Sequence, residues 1–108
     1  RLVDRTKAFL HARGTRPLRL GEIARAVGTS PAHLTSVFRR VEGVPLHRYL
    51  VQLRLARALV ELPHTDSLAA LALALGFSSH SHFSAAFRAA YGCTPASYRR
   101  RPEGCASR

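Results

Sequence analysis

The fold class predicted for this chain is all-α. Two observations carry it. Apolar residues recur three and four positions apart along most of the chain, and no stretch shows the period-two alternation of a half-buried strand. Residues 20–49 are also repeated, helix for helix, in residues 68–98. Such self-similarity dictates architecture, because each copy is one supersecondary unit.

The repeat is specific. Leu20 matches Leu68, Ile23 matches Leu71, Ala24 matches Ala72, Val27 matches Leu75 and Gly28 matches Gly76, all at an offset of 48. Past the turn the offset becomes 49: Leu34 matches Phe83, Phe38 matches Phe87, Arg39 matches Arg88, Gly43 matches Gly92 and Tyr49 matches Tyr98. Each copy reads helix, tight turn, helix. Ala24 and Ala72 are small enough for two helices to cross closely, and Gly28 and Gly76 accept the positive φ of the turn. This is the pattern of a helix-turn-helix, whose second helix suits a DNA major groove.

In chain order, residues 1–13 form a first helix with Leu2, Thr6, Phe9 and Leu10 inward and Arg5, Lys7 and Arg13 outward. Gly14 stops it, and a basic connection follows in which Pro17 forbids helix. Residues 19–28 open the first unit. Ser30 caps and Pro31 starts the next helix, which runs to about Glu42 with Leu34, Val37, Phe38 and Val41 inward. Pro45 begins the longest helix, residues 46–62, with one inward stripe of Leu46, Tyr49, Leu50, Leu53, Ala56 and Val60, widened by Leu55 and Leu59. It is expected to join the units and hold them apart. Residues 63–66 break it, and Asp66 or Ser67 caps the second unit. Thr94 and Pro95 start a short closing helix, and residues 102–108 read as a frayed tail. The expected division is 1–44, a linker helix over 45–62, 63–101 and the tail.

The 108 residues carry 17 Lys plus Arg against 6 acids, a formal net charge of +11, and every basic residue except Lys7 is arginine. This balance points to a polyanion, nucleic acid before anionic membrane. Arginine suits bidentate contact with phosphate or guanine. Two cysteines make neither a disulfide framework nor a zinc spacing. Cys93 falls where Val44 lies in the first copy and is read as a small buried hydrophobe; Cys105 lies in the tail. No apolar run has the length of a membrane span and no signal peptide is visible, so a cytoplasmic setting is expected. The chain begins with Arg1 and contains no Met, which reads as a fragment of a longer protein.

At LGFSSHSHFSAAFRAAYGCTPASYRR the chain resembles the signature of AraC/XylS-type transcriptional regulators. The pattern is met by Gly76, Phe77, Ser79, Ser81, Phe83, Phe87, Arg88, Gly92, Thr94, Pro95, Tyr98 and Arg99. LGEIARAVGTSPAHLTSVFRRVEG resembles the family's first motif. The resemblance implies a seven-helix domain with two helix-turn-helix subdomains joined by a long helix. It also implies an asymmetric duplex site read in successive major grooves, activation at a bacterial promoter with RNA polymerase as partner, and a separate N-terminal sensing domain.

Carried over by the resemblance, base reading falls on Ala32, Thr35 and Ser36 in the first unit and on His80, Ser81, His82 and Ala85 in the second. His33 adds a further hydrogen-bonding side chain. The family often has arginine where Ser36 and Ala85 stand; in its place His33, His80 and His82 supply hydrogen bonds and Thr35 and the alanines meet thymine methyls, or else DNA shape takes a larger share of specificity. Phosphate contact is assigned to Arg39, Arg40 and Arg88 at the recognition-helix ends, to Arg54, and to Ser30 and Ser79 at helix starts. His80 and His82 diverge on a helix, with no third ligand or nearby carboxylate, so no metal and no cofactor are expected. No serine has both a base and an orienting acid, and no Gly-x-Ser-x-Gly turn occurs, so no enzyme is expected. The alternative is a non-specific binder of nucleic acid driven by charge.

Overall fold

The computed structural model describes residues 1–13 and 18–101. Its elements are α1 (Leu2–Arg13), α2 (Leu20–Ala26), α3 (Pro31–Glu42), α4 (Leu46–Glu61), a 3-10 turn (Leu62–His64), α5 (Leu68–Ala74), α6 (His80–Tyr91) and α7 (Pro95–Arg100). Among the described residues the regular structure is entirely helical. The expected stop at Gly14, the connection through Pro17 and the tail with Cys105 lie outside those residues.

Two compact units divide within α4, the first ending at Gln52 and the second starting at Leu53. In the first, α1, α2 and α3 pack on one another around Val3, Leu10, Ile23, Ala24, Val27, Leu34, Phe38 and Leu46. In the second, Leu55, Ala58, Leu62, Leu71, Ala72, Leu75, Phe77, Phe83 and Phe87 are buried.

The repeat is reproduced atom for atom at the turns. Gly28 and Gly76 have φ of 79° and 101°, and Gly43 and Gly92 have 87° and 82°. Thr29 N donates to Ala24 O at 2.9 Å, and Phe77 N donates to Ala72 O at 3.0 Å. These bonds close α2 and α5 in the same way, satisfying carbonyls that a helix end leaves open. Ala24 and Ala72 are both buried, as a close helix crossing requires. Phe38 meets Tyr49 edge-on at 5.3 Å, and Phe87 meets Tyr98 likewise at 5.8 Å.

Several expectations are corrected. Val3, Thr6 and Leu10 are the buried residues of α1, whereas Leu2 and Phe9 are only partly covered. The buried Thr6 hydroxyl donates to Leu2 O at 2.8 Å, which removes the cost of its burial. Arg5 points outward but returns its guanidinium to Val27 O at 3.0 Å, tying α1 to the first turn. Val41 is 64% exposed rather than inward. The last turn of α3 meets α1 through Glu42, which accepts from Lys7 Nζ at 3.1 and 3.3 Å, and this leaves Val41 to solvent.

The single stripe along α4 is also corrected. Leu46, Tyr49 and Leu50 serve the first core, but Ala56 is exposed and Val60 is 62% exposed. The buried row restarts at Leu55 and continues through Ala58 to Leu62, because one helix supplies two separate cores. Pro63 ends α4 one residue earlier than expected: it has no N–H to donate, and its ring crowds the preceding turn. Cys93 is half-buried rather than fully buried.

Candidate nucleic-acid interface

The starts of α3 and α6 are built alike. Ser30 accepts from His33 N at 3.2 Å, and Ser79 accepts from His82 N at 3.0 Å. Both are N-caps in extended backbone, and Pro31 follows Ser30 with a φ already suited to helix. Leu34 with Phe38, and Phe83 with Phe87, are fully buried at i and i+4. That anchors one face of each helix and turns the other outward. Ala32, His33, Thr35 and Ser36 are exposed on α3, and His80, Ser81, His82 and Ala85 are exposed on α6. Within each unit the structure therefore brings the expected base-reading residues onto an open surface.

His82 is constrained as well as exposed. Its Nδ1 hydrogen-bonds with Ser78 Oγ at 3.2 Å, and its ring stands edge-on to Phe77 at 5.2 Å. The imidazole is thus drawn back toward its own turn, leaving His80 and Ser81 less constrained.

Arg39, Arg40 and Arg88 are exposed in the last turns of α3 and α6, where a cation also meets the negative end of the helix dipole. None of the three has an acidic partner among the described residues. Four acids are occupied elsewhere. Glu22 accepts from the Arg19 amide at 2.8 Å, Glu61 holds Arg57 at 3.1 Å, and Asp4 faces the terminal amine at 3.5 Å. Glu42 takes Lys7, and that hydrogen bond holds the Lys7 ammonium above the ordinary lysine range.

Arg54 is placed differently from the other arginines assigned to phosphate. It is half-buried, its guanidinium lies against the turn at Gly76, and a Cβ built on Gly76 would stand 2.8 Å from Arg54 Nε. Burial lowers its pKa, without discharging a guanidinium. The cation stands beside the end of α5, where the helix dipole favours it. Sequence reasoning did not single out His47 and Arg48. With Arg39, Gly43, Pro45 and Val51 they line an open groove of about 550 Å³ where α3 passes into α4. The signal available was the run of cationic residues on both sides of Gly43 and Pro45. Among the described residues no His, Cys, Asp and Glu group could hold a metal. No helix there is long and apolar enough to cross a membrane.

Repeated helix-turn-helix units with open second helices, and arginines that have no acidic partner among the described residues, define the class: a DNA-binding domain of the transcription-regulator kind. Comparison with known proteins agrees. Residues 23–101 match the family model described as a helix-turn-helix domain. The chain is 33% identical over 106 residues to the HTH-type transcriptional activator RhaR of Klebsiella pneumoniae, covering 97% of this chain and 38% of RhaR. A transcriptional regulator structure from Chromobacterium violaceum, titled as having an AraC-type DNA-binding domain, superposes with a TM-score of 0.81 at 32% identity, covering 94% of this chain and 92% of that one. The DNA-binding domain of AdpA, solved in complex with a target DNA, gives a TM-score of 0.79 at 25% identity over 94% of this chain and 97% of that one. The chain belongs to the AraC family of transcriptional regulators and is a helix-turn-helix DNA-binding domain of that family. It spans about a third of the length of several curated relatives it matches, RhaR among them.

Proposed function

We propose that this domain binds double-stranded DNA sequence-specifically, with α3 and α6 entering successive major grooves of one asymmetric promoter site. The observation that carries this reading is the matched construction of α3 and α6: serine cap, buried aromatic anchor, exposed small or histidine face, and an arginine end without an acidic partner among the described residues. Base reading is assigned to Ala32, His33, Thr35 and Ser36 and to His80, Ser81, His82 and Ala85. Arg39, Arg40 and Arg88 hold phosphates, with Ser30 and Ser79 presenting helix N-termini to the backbone. In the cell the proposal is a cytoplasmic activator that works with RNA polymerase and carries an N-terminal sensing domain. Support comes from the family and from relatives named as activators.

Selection of random duplexes on this chain at about 150 mM salt tests the reading. Two conserved blocks roughly 10 base pairs apart are expected. A single block would remove one helix from base reading. No enrichment would overturn specificity and favour charge-driven binding, consistent with the small side chains of Ser36 and Ala85.

A further inference from the structure

We infer that the groove at the α3–α4 corner is a phosphate-anion site, formed by Arg39, His47 and Arg48 and filled by a backbone phosphodiester of bound duplex. The inference rests on the DNA-binding reading and adds a contact point outside the recognition helices' base-reading faces. Four observations carry it. Arg39 comes from the last turn of α3, and His47 and Arg48 come from the first turn of α4, so two elements converge on one volume. Among the described residues no acid lines that volume. The neighbouring acid, Glu42, is held by Lys7. The start of α4 is also open. Tyr49 N makes the first helical bond, to Pro45 O at 3.0 Å, so the amides of Leu46, His47 and Arg48 have no partner within the helix. Proline at the preceding position offers no side-chain acceptor, whereas α3, α5, α6 and α7 are each capped by Ser or Thr.

Arg48 supplies a planar fork suited to two phosphate oxygens, His47 adds a ring N–H, and Arg39 offsets the negative end of α3. An anion there meets cationic side chains and the positive end of α4 together. The chemistry is that of a phosphate oxygen, whether on DNA or on free phosphate. The site fixes register on the backbone without reading sequence.

The test uses the 108-residue chain, its selected duplex and a scrambled duplex, with Arg48→Gln, His47→Gln and Arg57→Gln as variants. Arg57 lies outside the groove, so its variant removes the same charge elsewhere. Affinity is measured from about 50 to 200 mM salt. Loss of one phosphate contact should shrink the log–log slope by about 0.9, so that Arg48→Gln loses about threefold less affinity than wild type across that range. The loss should be equal on both duplexes, and Arg57→Gln should keep the wild-type slope. A methylphosphonate scan should find one backbone position whose neutralisation weakens wild type but not Arg48→Gln. A wild-type slope in Arg48→Gln, or no such position, overturns the inference. Inorganic phosphate titrated by NMR separates the sources. Saturation of the groove by free phosphate, with an unchanged DNA slope in Arg48→Gln, would make it a small-anion site and overturn the duplex assignment. Equal wild-type affinity for both duplexes would sink the specificity reading, while a reduced slope in Arg48→Gln would still support the groove.

Discussion

Gly76→Ala isolates what the second turn demands. Gly76 has φ of 101°, where an L-residue pays roughly 1–2 kcal/mol. Alanine also narrows the unfolded ensemble, which offsets about 0.4–1 kcal/mol. The new Cβ would sit 2.8 Å from Arg54 Nε and 3.1 Å from its Cζ, so the guanidinium must move off the turn. Gly28→Ala is the internal control: φ is 79°, and nothing lies within 4 Å of its Cβ. Gly28→Ala should cost about 1 kcal/mol, and Gly76→Ala about 2 kcal/mol. In an Arg54→Ala background the excess at Gly76 should shrink, since the contact is gone. The chain has no tryptophan, so urea unfolding is followed by far-UV circular dichroism. Equal costs at the two glycines, or an excess that survives intact in the Arg54→Ala background, would refute the assigned contact.

Phe87→Ala should destabilise by about 3–5 kcal/mol in the same assay, because its ring is fully buried, whereas Val41→Ala should stay within about 0.5 kcal/mol. A costly Val41→Ala would contradict the outward placement of that residue. Ser79→Ala should cost about 1 kcal/mol through loss of the cap to His82 N, and Ser79→Gly only a few tenths. Arg88→Gln should weaken binding on selected and scrambled duplexes alike and reduce the salt slope by about one; a loss confined to the selected duplex would make Arg88 a base reader instead.

What the sequence determined by itself was local. Ser30 and Ser79 cap, Pro31 starts, and Gly28, Gly43, Gly76 and Gly92 turn because each acts through its own backbone or a neighbour within five residues. Repetition of those signals made the tandem units legible, and the buried i, i+4 pairs followed from helical periodicity. The recognition-helix faces were legible for the same reason: fixing Leu34 and Phe38, or Phe83 and Phe87, inward leaves the remaining positions outward.

Tertiary structure decided whatever depends on which neighbour covers a residue. Periodicity carried the α4 stripe on to Ala56 and Val60, but burial follows the two cores that the helix serves, and the row restarts at Leu55. Val41 lost its expected place to the Lys7–Glu42 pair, formed between residues 35 apart in sequence. Arg54 reads as one more surface cation until the turn at Gly76 is folded against it. The groove of Arg39, His47 and Arg48 exists only because Gly43 and Pro45 set the start of one helix against the end of another. Spacing along a chain encodes hydrogen bonds and helix faces, which are short-range. Side chains distant in sequence meet only once packing has fixed where their helices lie.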